Sequence, residues 1–313
     1  MISLINVHKN YVDKVVLDKI NFEIASHEFF VLVGPSGSGK TTLLKMINRL
    51  NEPSSGRIEI DGQDVKKIED IKAFRRGIGY VLQSGALFPN LTVAQNIAVT
   101  LDDKKYKPDE QNQLIASMLK RVDLDPATFM QRYPNELSGG EAQRVGIVRA
   151  LIFKPNIMLM DEPFSALDPL SRRQLQNLLL DLHREFKTTI VFVTHDMQEA
   201  LKLGQRVAIL HEGEIQQIAS PREIMAKPAN DFVRNFFAEE NPAAQNVENV
   251  IAAGFAEESV GQRFNISASA SLADLAAALQ KAPDAIVQVD DWQISKDDVL
   301  NYLAANGGEA AHE

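Results

Sequence analysis

An α/β fold is what this sequence predicts: a mostly parallel sheet, a helical stretch inserted beside it, and a smaller α/β segment at the C-terminal end. Three observations point there. The compact runs Phe29–Val33, Ile157–Met160 and Thr189–Thr194 are apolar enough to read as buried strands. Each is followed, after a short turn or loop, by a helical pattern, and strands alternating with helices imply a parallel sheet. With 313 residues, the chain has room for one large domain and a small second one.

Residues 2–33 read as short strands, with Ile20, Phe22 and Ile24 alternating with polar neighbours before the buried run that ends at Gly34. A helix is expected from Lys40 through Leu43, Leu44 and Ile47. Further strands are expected at Arg57–Asp61 and Ile78–Gln83, with Gln83 closing the second. Residues 108–150 are helix-rich, Leu114, Met118 and Leu119 falling at helical spacing. The order then runs strand 157–160, helix 170–186, strand 189–194 and a helix after His195. Arg206–Leu210 and Ile215–Ile218, joined through Gly213, read as a hairpin. Short helices follow from Pro221 and at Asp231–Ala238. The domain reading is 1–237 for the main α/β domain, 238–254 for a linker around Asn241-Pro242, 255–305 for the small segment, and 306–313 for a disordered tail. In the small segment a helix is expected at Leu272–Leu279, a strand at Ala285–Val289 and a helix at Asp297–Leu303.

Composition narrows the chemistry. The chain has no cysteine, which excludes disulfides, thiol catalysis and thiolate metal sites. The N-terminal residues lack the pattern of a signal peptide, and the longest apolar stretches fall far short of the roughly 18 residues a membrane span requires. Residues 238–313 carry thirteen acidic against three basic side chains, so the net charge of −9 lies there and residues 1–237 are near neutral. No basic excess of the kind nucleic-acid binders carry is present, and nucleic acid is not an expected partner. The acidic stretch reads as a solvated surface.

Gly34-Pro35-Ser36-Gly37-Ser38-Gly39-Lys40-Thr41 matches the phosphate-binding loop pattern in full, between an apolar strand and a helical pattern that begins with Lys40, Thr41 and Thr42. Glycines let successive N–H groups curl around phosphates, and the helix that follows presents its positive end. Lys40 is placed to reach the outer phosphates and Thr41 to offer a hydroxyl to Mg²⁺. Asp161 and Glu162 end an apolar strand, where adjacent carboxylates repel unless a cation or a catalytic task keeps them there.

Leu137-Ser138-Gly139-Gly140-Glu141, about a hundred residues after that loop, resembles the signature of ABC ATPases. The order of phosphate loop, Gln83, signature, Asp-Glu pair and His195 resembles an ABC transporter ATP-binding subunit over residues 1 to 237. The resemblance implies ATP hydrolysis with Mg²⁺ as cofactor. It assigns Asp161 and Thr41 to the metal, Glu162 to polarising the attacking water, and His195 to the γ-phosphate and the alignment of Glu162. Gln83 would touch both Mg²⁺ and the water, and Tyr11 would stack on adenine. Ser138, Gly139 and Gly140 would bind the γ-phosphate held by a second copy, and Asp168, in Ser165-Ala166-Leu167-Asp168, would cross the seam between copies. Asp168 before Pro169 also fits a helix N-cap. Glu141 stands where the family most often has Gln, which leaves the phosphate-binding residues intact.

The implied partners are a second copy joined through the ATPase domains, integral membrane permease subunits docking near Ser84–Leu91, and, indirectly, a substrate-binding protein. The implied location is the cytoplasmic face of a membrane. Ile78-Gly79-Tyr80-Val81-Leu82-Gln83 with Leu87–Val93 resembles importers of quaternary amines such as glycine betaine, carnitine or choline. Asp196-Met197-Gln198-Glu199-Ala200 with Ala219–Ile224 is similar to importers more broadly. Ile266–Leu279 with Ala285–Leu303 resembles a single CBS motif, where the family often carries two. An importer of another small solute such as an amino acid, a soluble ABC ATPase of DNA repair or translation, and a non-hydrolytic regulatory module remain as alternatives.

Overall fold

The computed structural model describes residues 1–12, 14–83, 86–101 and 106–239. It also describes seven short stretches beyond: 257–258, 265–266, 274–275, 278–279, 286–289, 292–295 and 297–299. Contacts divide the chain into two compact units, Met1–Pro221 and Arg222–Glu313.

The first unit opens with an antiparallel hairpin, β1 (Ile2–Tyr11) and β2 (Lys14–Ile24). Both strands are longer than the short ones expected. The reason is that their apolar alternation slips. Ile2 and Leu4 are buried but the next buried side chain is Val7, and Leu17 is followed by Ile20. At each slip sits a residue with positive φ, Asn6 at 47° and Lys19 at 46°. A bulge inserts an extra residue and re-phases the faces without ending the strand, so a broken period of two belongs to a continuous strand.

β3 (Phe29–Val33) is buried throughout and leads through the glycine-rich loop into α1 (Lys40–Ile47), whose Leu43, Leu44, Met46 and Ile47 are buried. β4 (Ser55–Ile60) and β5 (Gln63–Asp64) extend the hairpin into a four-stranded antiparallel sheet of order β2-β1-β4-β5. α2 (Ile71–Arg76) starts at Asp70, whose carboxylate accepts the N–H groups of Lys72 and Ala73. β6 is Ile78–Val81, two residues shorter than expected. Its ladder with the neighbouring strand ends where Val81 faces Met160, so Gln83 lies in an exposed turn and does not close the strand.

The helical insertion comprises α3 (Val93–Ala98), α4 (Pro108–Arg121), α5 (Pro126–Phe129) and α6 (Gly139–Leu151). α4 buries Ile115, Met118 and Leu119, so its apolar face is rotated from the expected one and Leu114 is half-buried. Then follow β7 (Ile157–Asp161), α7 (Pro169–Phe186), β8 (Thr189–Thr194), α8 (Met197–Leu203), and the antiparallel pair β9 (Arg206–His211) and β10 (Glu214–Ala219). The larger sheet has the order β10-β9-β3-β8-β7-β6, parallel except for β10.

Alternate residues of this sheet divide the core. Phe30, Leu32, Leu159, Val191 and Val193 join Leu43 and Leu44 of α1 and the antiparallel sheet in one apolar cluster. The phenyl rings of Phe29, Phe192 and Phe164 pack together among the buried residues that face the other way. With both faces covered, the strands read as continuous apolar runs, which is why sequence alone found them.

α9 (Pro221–Ala226) spans the boundary between the units, and α10 (Asp231–Glu239) belongs to the second. The second unit also contains a four-stranded sheet of order β11-β14-β13-β12, from Glu257–Glu258, Asn265–Ile266, Ile286–Val289 and Trp292–Ser295 in chain order. Of these only the strand at 286–289 was expected. The helix expected at 297 starts there, with Ser295 and Asp298 bonding reciprocally: Ser295 N–H to Asp298 Oδ2 at 2.7 Å and Asp298 N–H to Ser295 Oγ at 3.2 Å. The expected linker falls outside the described residues beyond Glu239, as do 306–313.

Candidate functional site

Parallel pairing sets Val33 opposite Thr194 and Val193 opposite Asp161. The carboxyl ends of β3, β8 and β7 therefore lie side by side. The turns leaving these three strands meet above that edge, where open α/β sheets bind their ligands.

After β3 comes the loop from Gly34 to Thr41. A Cβ on Gly34 would fall 2.0 Å from the carbonyl oxygen of Leu210, so the backbone of β9 demands glycine there. Gly39, at φ 107°, would strike Leu17 Cδ2 at 2.7 Å and Val16 O at 2.9 Å. The loop is thus pinned between neighbouring backbones, with Ser36 and Gly37 exposed at its crest. Lys40 is buried and donates from Nζ to Gly34 O at 2.7 Å and to Pro35 O at 2.8 Å. Burial pulls its pKa down, while Glu162 and Asp161 work in the opposite direction. Ser38 Oγ is buried with no hydrogen-bond partner. A buried hydroxyl of this kind, beside a bound-in ammonium and a helix N-terminus, fits a phosphate group.

Asp161 is the last residue of β7. Thr41 Oγ1 donates to its Oδ1 at 2.7 Å. Burial pushes the Asp161 carboxyl up, and the Thr41 hydrogen bond and the Lys45 and Lys40 ammonium groups hold it down. Two hard oxygens at this distance suit a divalent cation such as Mg²⁺. Glu162 follows with φ 45°, its N–H bonded to Val193 O at 2.9 Å, which fixes the turn. Its Oε2 lies 3.1 Å from Nδ1 of His195, the residue after β8. Lys40, Thr41, Asp161, Glu162 and His195 are therefore one group, assembled from three strands.

Gln83 is exposed beyond β6 with no hydrogen bond recorded to this group, and Ser84 and Gly85 lie outside the described residues. Tyr11, at the end of β1, is 46 % exposed, and Lys9 Nζ stands 4.6 Å from its ring centre. Thr42 lies half-buried in the first turn of α1.

Ser138, Gly139 and Gly140 lie elsewhere. Ser138 caps α6, its Oγ accepting Glu141 N–H at 3.3 Å while Glu141 Oε2 accepts Ser138 N–H at 2.7 Å. Glu at the fifth position thus completes a capping box. Cβ atoms on Gly139 and Gly140 would meet Ala166, Leu167 and Ser171, not the phosphate loop. Ser138 and Gly140 line an open cleft of about 800 Å³ with Arg144, Ser171 and Gln174. Nearby, Asp168 caps α7, its Oδ1 accepting the N–H groups of Leu170 and Ser171 at 3.0 Å each. A hydrogen bond from the Ser171 hydroxyl first, and then the Ser171 and Leu170 N–H groups, hold its carboxyl below the usual range.

Sequence reasoning missed the side chains beneath His195. Glu199 is buried, takes a hydrogen bond from Thr194 Oγ1 at 2.6 Å, and is pushed up to about 7 by that burial. Arg172 of α7 reaches Asp196 Oδ2 at 3.3 Å. An acid three residues after Asp196 reads in sequence as an exposed helix-start residue; only the packing of α8 turns it inward. Asn96 was also missed. It is fully buried and bonds the backbone of Phe88 at both N–H and C=O, at 2.7 and 3.1 Å.

A family model described as ABC transporter matches residues 17–165. The chain is 46 % identical over 257 residues to the glycine betaine/carnitine/choline transport ATP-binding protein OpuCA of Bacillus subtilis, covering 80 % of this chain and 67 % of that one. It is 40 % identical over 302 residues to the choline transport ATP-binding protein OpuBA of the same organism, covering 94 % and 77 %. Among solved structures it is similar to a dimeric ATP-binding cassette in a post-hydrolysis state bound to ADP and Pi. The TM-score there is 0.64 at 36 % identity, over 71 % of this chain and 99 % of that one. Geometry and similarity agree: the chain belongs to the ABC transporter ATP-binding proteins, and it is an ATPase.

Proposed function

We infer that this chain powers the import of a quaternary ammonium solute such as glycine betaine, carnitine or choline. The observation that carries the ATPase part is the convergence of Lys40, the Thr41–Asp161 pair and the Glu162–His195 pair at one sheet edge. The cargo class rests on the relatives. The similarity to a choline transport protein runs through 94 % of the chain, well past the ATPase domain that importers of every cargo share.

The nucleotide would lie along Gly34–Thr42 with its adenine on Tyr11, where base stacking contributes roughly 1–3 kcal/mol. Thr41 and Asp161 would hold Mg²⁺, with Gln83 as a further candidate ligand, and the ion would supply charge neutralisation at the phosphates. Glu162 polarises the attacking water, and His195 fixes the carboxylate from its other side. No covalent intermediate is needed, because phosphoryl transfer is catalysed by positioning and charge. Ser138, Gly139 and Gly140 face a different cleft from Lys40, which supports a role on the nucleotide of a second copy, with Asp168 at the seam.

Among the described residues no helix is long and apolar enough to cross a membrane. Separate permease subunits would form the path, with the ATPase peripheral on the cytoplasmic side and a substrate-binding protein delivering the solute. The half-exposed Phe88 and the turn through Leu91 offer the docking surface. We also propose the divisions 1–237 for the ATPase domain, 238–254 for a linker, 255–305 for a CBS-like regulatory unit and 306–313 for a tail, while the contacts divide the chain earlier, after Pro221.

Uptake of labelled glycine betaine, carnitine and choline is the test, comparing cells with the intact gene and with Glu162→Gln. Loss of uptake of at least one solute is expected. Unchanged uptake of all three, in cells without another carrier, refutes the cargo.

A further inference from the structure

Asp196-Met197-Gln198-Glu199-Ala200 takes no part in the chemistry above, yet Glu199 is only 4 % exposed. A carboxylate in such a place needs partners, and it has two. Thr194 Oγ1 donates to Glu199 Oε2 at 2.6 Å, and Arg172 Nε stands 3.8 Å from Glu199 Oε1. Thr194 immediately precedes His195, and its hydroxyl also accepts the N–H of Asp196 at 3.0 Å. Arg172 extends from the start of α7, where Nη1 donates to Asp196 Oδ2 at 3.3 Å and Nη2 to Leu167 O at 3.5 Å. One guanidinium thus touches the residue after His195, the carboxylate beneath that turn, and the segment Ser165–Asp168.

His195 needs such support. Its side chain is 48 % exposed, so its own packing does not place it. A group that must sit within hydrogen-bond reach of a reacting centre depends on neighbours that lock the backbone under it. A planar guanidinium presents its donors in a rigid fork and so fixes the directions of the groups it binds, whereas an ammonium on a flexible stem imposes no such geometry. Arg172 Nε is buried without a hydrogen bond, and 3.8 Å is just too long for one to Glu199. A small shift of α7 would close that gap.

We propose that Glu199 and Arg172 are positioning residues that tie the His195 turn to the Ser165–Asp168 segment, so that His195 is aligned with Glu162 only when that segment is in place. This rests on the ATPase reading above. The strap makes hydrolysis in a chain answer to whatever engages its Asp168 segment.

The test uses the full chain with Glu199→Gln and Arg172→Lys, each alone and combined with His195→Ala. Single-turnover hydrolysis of radiolabelled ATP gives the rate, and a fluorescent ATP analogue gives the affinity. Each single variant should keep its affinity and lose about ten- to a hundredfold in rate, the scale of a small misplacement. Neither should slow the His195→Ala chain further, because residues acting as a unit do not add. Undiminished rates in the single variants, or equal losses with and without His195, would overturn the proposal. If Glu199→Gln does not fold, Arg172→Lys, at a side chain 32 % exposed, carries the same cycle with the same deciding outcomes. A wild-type chain that turns over no ATP would instead defeat the ATPase reading, which keeps the two failures apart.

Discussion

His195 Nδ1 stands 3.1 Å from Glu162 Oε2, joining the turn after β8 to the turn after β7. The two residues are 33 apart in sequence and meet because Val193 lies opposite Asp161 in the ladder. Glu162→Gln keeps the shape of this contact and removes the base. Turnover should fall by roughly 10²- to 10⁴-fold, the usual worth of a positioned general base, with nucleotide affinity retained. Turnover near wild type would show that Glu162 does not act on the water.

Lys40 behaves differently. Its ammonium is already held by the Gly34 and Pro35 carbonyls, so it is in place before any phosphate arrives. Lys40→Ala should weaken ATP binding by about ten- to a hundredfold, equivalent to the roughly 1.5–3 kcal/mol of a charged hydrogen bond. Equilibrium titration with a fluorescent ATP analogue checks this, and an unchanged Kd would remove Lys40 from the phosphate site.

Asn96 is a matter of stability. Its side chain accepts from Phe88 N–H and donates to the carbonyls of Phe88, Leu91 and Thr92, all within 3.1 Å. Asn96→Ala takes this partner from the part-buried Phe88 N–H and Leu91 carbonyl, at about 0.5–1.5 kcal/mol each. Urea unfolding should show a lower midpoint, and hydrogen exchange should speed up at Phe88–Leu91 first. Unaltered exchange there would mean that the turn is held by other contacts.

Glu199 sets a pH dependence. Burial raises its pKa from 4.5 to about 7; Asp196 adds to the rise, and Thr194, Arg172 and His195 oppose it. The folded chain therefore holds this proton more tightly than the unfolded chain. Its contribution to stability is fully present below about pH 4.5 and is lost as pH rises through about 7. The melting temperature of Glu199→Gln relative to wild type should accordingly rise between pH 5 and about pH 8. A difference that stays flat over that range would place the titration elsewhere.

Much of the site was legible because its physics is local. Gly34 to Thr41 is a contiguous motif in which Gly34 and Gly39 answer to close approaches of neighbouring strands, and the runs Phe29–Val33 and Thr189–Thr194 are apolar on both faces. The long hairpin of β1 and β2 was less legible, since bulges at Asn6 and Lys19 shift the apolar phase. The strand was carried too far, to Gln83, because apolar Leu82 continues the pattern although the ladder ends at Val81. Arg172, Glu199 and Asn96 gave no sign, for a polar residue on a helix reads as exposed until its partners are known.

The sequence by itself determined the strand–helix alternation and the phosphate-binding loop, because these depend on residue type and on spacing within a few positions, while the roles expected of Glu162 and His195 drew on the resemblance in motif order. Only the tertiary structure decided that β3, β8 and β7 are neighbours in that order, and so that Lys40, Asp161, Glu162 and His195 share one edge. It alone decided that Ser138 lies on a different cleft and that Glu199 is buried beneath His195. Strand order and side-chain burial are set by contacts between residues far apart in the chain, and no local pattern encodes which of them meet.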